Sequence, residues 1–173
     1  MKRKYLLFAF IAILFAAIGV YFGLTKYEAE KSQILAVTTL FAQTMADDKG
    51  KLQDLSQWKG KNLIVNFWAT WCAPCVEEMP ELSAMQTQIT QRNTQIIGIG
   101  IDSVANISEF SSKHKIGYPL YIAGMNGTEL SRQFGNQLGA LPYTVLIDAG
   151  GTIRNTYLGR LKLEQLRKDL AAL

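Results

Sequence analysis

Twenty consecutive uncharged residues, Tyr5 to Leu24, follow directly on the basic tip Met1-Lys2-Arg3-Lys4. At a helical rise of ~1.5 Å per residue such a run spans about 30 Å, the thickness of a bilayer's hydrocarbon core. A cleavable export signal has a shorter apolar region of about 7–15 residues, closed by a small-x-small site. This run instead ends in Phe22-Gly23-Leu24-Thr25-Lys26-Tyr27, with no such site. The pattern predicts an uncleaved signal anchor over residues 1–24, a single pass through the cytoplasmic membrane; a cleaved signal is the alternative. Lys2, Arg3 and Lys4 keep the N-terminus cytoplasmic, so the rest of the chain is expected in the periplasm or another extracytoplasmic space.

Beyond the anchor, residues 25–33 are polar and read as a juxtamembrane spacer, and residues 34–173 as one folded domain. Ile34 to Phe41 has a β-like pattern. Turn chemistry at Ala46-Asp47-Asp48-Lys49-Gly50-Lys51 leads to a second short strand near Leu52, giving an N-terminal hairpin. Asp54 to Gly60 reads as a short helical turn. Asn62 to Trp68 is apolar almost throughout, as a strand covered on both faces would be. The helix after it, from Ala73 to about Arg92, carries Val76, Met79, Leu82, Met85 and Ile89 as one stripe, interrupted by Pro80. Strands then follow at Thr94–Ile101, Tyr118–Ile122, Tyr143–Ile147 and Thr152–Leu158. Helices are expected at Asn106–His114, Thr128–Phe134 and Leu163–Leu173. Strands alternating with helices, closed by a hairpin and a last helix, imply an α/β domain with a mixed sheet and helices on both faces.

Charge changes this picture little. The chain has 18 Lys and Arg against 14 Asp and Glu. Three of the basic residues and none of the acidic ones precede residue 25, leaving 15 against 14 in the exported part. The pI near 9.1 is therefore an export signature and not a nucleic-acid footprint. Two cysteines and one histidine make a poor disulfide scaffold and a poor metal cage, so a close cysteine pair in an exported chain points to catalysis.

That pair lies in Val65-Asn66-Phe67-Trp68-Ala69-Thr70-Trp71-Cys72-Ala73-Pro74-Cys75, where a strand runs into a helix. A thiol attacks as thiolate, and Cys72 just before the helix is placed for unpaired N–H groups and the helix dipole to stabilise that charge. Cys72 is the expected nucleophile and Cys75, one turn further in, the resolving thiol. Pro74 suits the first turn, where its missing N–H costs nothing. Trp71 is assigned to the rim of the site, in reach of substrate, and Trp68 to packing.

This segment resembles the active-site motif of the thioredoxin superfamily. Trp71 to Pro80, with Glu78, resembles more narrowly its membrane-anchored, extracytoplasmic TlpA/ResA-like branch. The resemblance implies a thioredoxin-like three-layer fold, extended by the hairpin, and a thiol-disulfide oxidoreductase that needs no cofactor beyond its redox-active disulfide Cys72–Cys75. It implies that Pro142 is the cis-proline facing the dithiol, that Leu141 offers backbone groups to a bound peptide, and that Glu78 tunes the cysteines. Glu78 sits one turn from Cys75 on the same face and is placed to shuttle the resolving proton; a solvated helix-face acid is the other reading. Thioredoxin carries an aspartate where this chain has Asn66, which cannot act as a base. Tyr143 is bulkier than the residue common after the cis-proline and is expected to narrow or line the substrate groove.

The resemblance also implies partners. These are disulfide-containing exported proteins, such as apocytochrome c or factors that load oxidase copper sites, and a transmembrane thiol reductant. A reductase is the reading taken; an oxidase or isomerase would use the same residues at another potential. A copper metallochaperone using Cys72 and Cys75 is the alternative from a different class. Structural zinc is disfavoured because it takes four ligands, and no second Cys/His pair exists here. His114, in Lys113-His114-Lys115, reads as a surface or capping group, and Asp102 as a turn or helix cap.

Overall fold

A computed structural model describes residues 2–173, with side chains from Ile13 onward. The chain runs α1 (Lys2–Phe41), β1 (Thr44–Asp47), β2 (Leu52–Asp54), a 3-10 turn (Leu55–Trp58), β3 (Asn62–Trp68) and α2 (Ala73–Ile89). It continues β4 (Thr94–Gly100), α3 (Val104–Lys113), β5 (Leu120–Ile122), α4 (Asn126–Gln133), β6 (Tyr143–Ile147), β7 (Ile153–Leu158) and α5 (Leu163–Ala171). The seven strands form one mixed sheet in the order β2-β1-β5-β4-β3-β6-β7. Pairing is parallel across β3/β4 and β4/β5. It is antiparallel across β1/β2, β1/β5, β3/β6 and β6/β7.

Side-chain alternation along β3 divides the core. Leu63, Val65 and Phe67 join a cluster with the end of α1 and with Leu130 and Phe134 at α4. Ile64 and Trp68 face the other way, into a cluster built by α2, α3 and α5. Asn66 has their parity, so a polar residue lies in the centre of the sheet on the α2 side. Gly100 in β4 lets α3 approach, since a Cβ there would fall 2.3 Å from Ile107 Cδ1.

The structure corrects one expectation near the N-terminus. Ile34–Phe41 is not a strand, because α1 continues unbroken to Phe41; residues 25–33 are an exposed part of the same helix. No glycine or proline interrupts residues 25–41. Ala36, Val37, Leu40 and Phe41 recur at helical spacing and seat one face in the core, while Ile34 and Leu35 stay exposed. A short apolar run fits a strand or a buried helix equally well, and here length and packing decided for the helix. The hairpin survives as β1 and β2, with Asp47 accepting from the backbone N–H of Lys49 and Lys51 in its turn. Among the described residues, no helix is long and apolar enough to cross a membrane. The side chains of the first part of the expected span, up to residue 12, lie outside the described residues.

Leu40 is fully buried where α1 docks. Leu40→Ala is expected to cost about 2–4 kcal/mol by large-to-small truncation, read as a lowered midpoint in chemical denaturation. Leu35→Ala, at an exposed position of the same turn, is expected to leave the midpoint unchanged.

Candidate active site

The dithiol is set by the step from β3 to α2. Cys72 is the N-cap residue of α2, in extended backbone geometry, with Ala73 and Pro74 opening the helix. Its carbonyl accepts from the N–H of Cys75 at 3.0 Å and of Val76 at 3.1 Å, closing the first turn. Cys72 and Cys75 are joined as a disulfide, their Cα atoms 5.3 Å apart. Cys72 keeps 6% of its surface accessible and Cys75 none. Cys72 is thus the less enclosed of the pair and Cys75 the fully enclosed one.

Glu78 lies one helical turn beyond Cys75 and is 2% exposed, which rules out the solvated-acid reading. Its carboxylate is gripped from two sides. Asn66 Nδ2 donates to Oε1 at 2.8 Å, and the backbone N–H of Leu161 donates to Oε2 at 2.8 Å. Asn66 Nδ2 also donates to Thr144 Oγ1 at 3.1 Å, directly across the β3/β6 register. Burial pushes the Glu78 pKa above the ordinary carboxylate range, and the hydrogen bonds from Leu161 and Asn66 only partly oppose it. Arg160 nearby also opposes the rise, and Glu81 adds to it.

Among the described residues, three buried polar atoms have no hydrogen-bond partner, all on this side of the sheet: Asn66 Oδ1, Trp68 Nε1 and Tyr118 Oη. Burial, reinforced by the charge of Glu78, drives the Tyr118 hydroxyl far above its usual pKa, so it stays protonated.

The outer rim carries the remaining expected residues. Trp71 is 69% exposed and borders a groove of about 510 Å³ together with Ile101, Asp102, Met125, Thr128 and Leu141. The Leu141–Pro142 bond is cis. Tyr143 does not line this groove, which corrects the expectation for it. Its ring turns into the core against Phe67 and Phe134, and its hydroxyl donates to the carbonyl of Phe134 at 2.8 Å. Strand parity is the reason: Tyr143 shares its face with Val145 and Ile147, and Thr144 takes the α2 side.

Ser103 is the N-cap of α3, and Asp102 just before it supports that turn by accepting from Ser103 N and from Asn106 Nδ2, each at 2.7 Å. It also accepts from the backbone N–H and hydroxyl of Thr70, tying the residue two before Cys72 to the β4–α3 loop. Partial burial works against its charge, but the bonds from Thr70, Asn106 and Ser103 prevail and hold its carboxyl below the usual range. His114 is exposed at the end of α3, stacked on Phe110 at 4.3 Å. Among the described residues, no group of three or more His, Cys, Asp and Glu is placed to hold a metal.

Sequence reasoning did not find Thr144, Leu161 or Arg160. No local signal marks them, since each meets Glu78 or Asn66 only through the sheet register or the β7–α5 loop.

Comparison with known proteins agrees with this geometry. The AhpC/TSA family matches residues 36–156. The thiol-disulfide oxidoreductase ResA of Bacillus thuringiensis (strain Al Hakam) is 31% identical, over 96% of this chain and 95% of that protein. ResA of Geobacillus kaustophilus (strain HTA426) is 26% identical, over 95% of this chain and 92% of its own length. Among solved structures, a thiol:disulfide interchange protein of the thioredoxin family from Chlorobium tepidum TLS superposes with a TM-score of 0.64. It is 27% identical, over 75% of this chain and 91% of that one. With its disulfide at the helix N-terminus of a thioredoxin-like sheet, the chain belongs to the AhpC/TSA family and, within it, to the ResA-type thiol-disulfide oxidoreductases.

Proposed function

We propose that the protein is a membrane-tethered extracytoplasmic reductase of disulfides in exported proteins. The observation that carries this reading is the asymmetry of the dithiol: Cys72 at the mouth of α2, Cys75 enclosed behind it, and a buried carboxylate one turn further on. In the reduced protein the Cys72 thiolate attacks one sulfur of a client disulfide, forming a mixed disulfide and releasing the other client sulfur as a thiolate. Cys75 then passes its proton toward Glu78 and attacks Cys72 Sγ. The client leaves with both sulfurs as thiolates, having gained two electrons, and takes its protons from Glu78 and from water; the Cys72–Cys75 disulfide has formed. Trp71 and Leu141 border the groove in which the client segment lies, with Leu141, before the cis-proline Pro142, offering its backbone for strand-like pairing.

Charge supports the reducing direction. A strong oxidant in this fold stabilises its thiolate; here a carboxylate lies behind the dithiol, and Ala73-Pro74 between the cysteines adds no positive group. A less stabilised thiolate favours the disulfide product and makes the dithiol a better donor. Lys2-Arg3-Lys4, the uncharged Tyr5–Leu24 run and the continuous helix α1 support the tether. The client class taken is the cysteine pairs of apocytochrome c or of copper-site assembly factors, with a transmembrane thiol donor restoring the dithiol.

Equilibration of the full-length protein in graded thiol-disulfide buffers tests the direction. The potential is expected on the thioredoxin side, at about −250 mV or below. A value near that of a strong oxidant, about −120 mV, would assign the protein to disulfide formation instead.

A further inference from the structure

The β7–α5 loop supplies the second hydrogen bond to Glu78, and the residue before the donor is Arg160. Its Nη1 donates to Glu77 Oε2 at 3.3 Å and its Nη2 to Glu81 Oε1 at 2.9 Å. Glu77 and Glu81 flank Glu78 in sequence and lie on the outer side of α2, so the guanidinium straddles the helix just outside the buried acid. Leu161, next in the chain, buries its side chain in the α2 cluster while its N–H reaches Glu78. Gly159, at φ +81°, turns the chain from β7 into this loop, a backbone conformation that glycine adopts without strain. The loop is therefore a wall between Glu78 and solvent, pinned outside by Arg160 and inside by Leu161.

We infer that Arg160 is a positioning residue for the thiol chemistry: it latches the β7–α5 loop to α2 so that the Leu161 N–H and the guanidinium charge together set the ionisation of Glu78. The inference rests on the reading of Glu78 as the proton acceptor of Cys75. The groups acting on Glu78 are Glu81 on α2, Asn66 from β3, Tyr118 ahead of β5, and Arg160 and Leu161 from the loop, with Cys75 one turn back on α2. Of these, Arg160 is the cation. Tyr118 stays neutral and Glu81 opposes ionisation, so the balance that lets a buried carboxyl ionise depends on the loop. A pair this exposed contributes little stability by itself. Its effect is expected on proton affinity and not on folding.

The test is a carboxyl ¹³C titration of full-length oxidised protein in detergent micelles, with Glu78→Gln identifying the Glu78 resonance. At low salt, Arg160→Met is expected to raise the Glu78 midpoint by about half a pH unit, a small shift for a nearby charge because the site is half-exposed. Arg160→Lys is expected to restore at least half of the shift, and 1 M salt to shrink it. The denaturation midpoint serves as the folding control. If the titration curves of wild type and Arg160→Met superimpose while Glu78→Gln still changes the pH dependence of disulfide reduction, the latch is wrong and the Glu78 reading stands. If Glu78→Gln leaves that pH dependence untouched, the Glu78 reading itself fails.

Discussion

Cys75→Ser is expected to accumulate mixed disulfides between Cys72 and a small set of exported proteins. Cys72, at the head of α2, is the less enclosed of the pair and is the thiol expected to attack a client. What is lost is the enclosed sulfur that releases the client. Well-oriented intramolecular attack corresponds to effective concentrations of about 10⁵ M and above. Without Cys75 the adduct waits for a free thiol at millimolar levels, and even a poorly oriented resolving thiol would then have been worth a factor of 10³ or more. Non-reducing gels of cells expressing the variant are expected to show discrete bands that collapse on reduction, and mass spectrometry to place the bridge at Cys72. Cys72→Ser is expected to give none of these bands and no disulfide reductase activity. Equal adducts from both variants would sink the assignment of nucleophile and resolver. No adducts from either, with copper bound stoichiometrically by the wild-type protein, would favour the metallochaperone reading.

How much of this was legible depended on how locally each feature is encoded. Strand β3 and the start of α2 read directly because an apolar run, two cysteines and Pro74 are contiguous. The hairpin β6/β7 was signalled by Asp148-Ala149-Gly150-Gly151, and Asp148 accepts across that turn from the N–H of Gly151 and Thr152. Ile34–Phe41 misled because eight mostly apolar residues fit either period, and only packing against β3 and α4 selects the helix. The environment of Glu78 was half legible. Its spacing from Cys75 put it on the right face, but its burial depends on Leu161, 83 positions away, and on Thr144, 78 positions from Asn66. Tyr143 could not be placed because every residue of β6 is buried, leaving no polar alternation from which to read its parity. Asn66 was read only as the loss of a base. The fold gives it a second property, since an amide can donate to a carboxylate or, turned over, accept from a carboxylic acid.

Glu78→Gln is expected to slow the enzyme and to gain fold stability relative to wild type as pH rises. General acid–base participation contributes about 10²–10⁴-fold. The loss here is expected near the low end, about 10²-fold in the resolving step, because a thiol also ionises unaided near pH 8.5. The limb of the pH–rate profile governed by Glu78 disappears, leaving the thiol ionisation. The stability effect has a definite sign. Burial raises the Glu78 pKa above its unfolded value, so its favourable contribution is fully present below the unfolded carboxylate range and is lost as pH rises through the higher folded pKa. Glutamine has no proton to lose, so the difference in denaturation midpoint between variant and wild type is expected to move in the variant's favour from near pH 4 toward pH 8. The glutamine carbonyl can accept from Leu161 N–H, and its NH₂ can donate to Asn66 Oδ1 if the Asn66 amide turns over. That turn carries the Asn66 NH₂ away from its two acceptors into the partnerless place of Oδ1, a cost that does not vary with pH. A variant uniformly less stable at every pH would show that the carboxylate is held for structure. One equally active across the profile would remove Glu78 from the proton path and leave Cys75 to ionise against solvent alone.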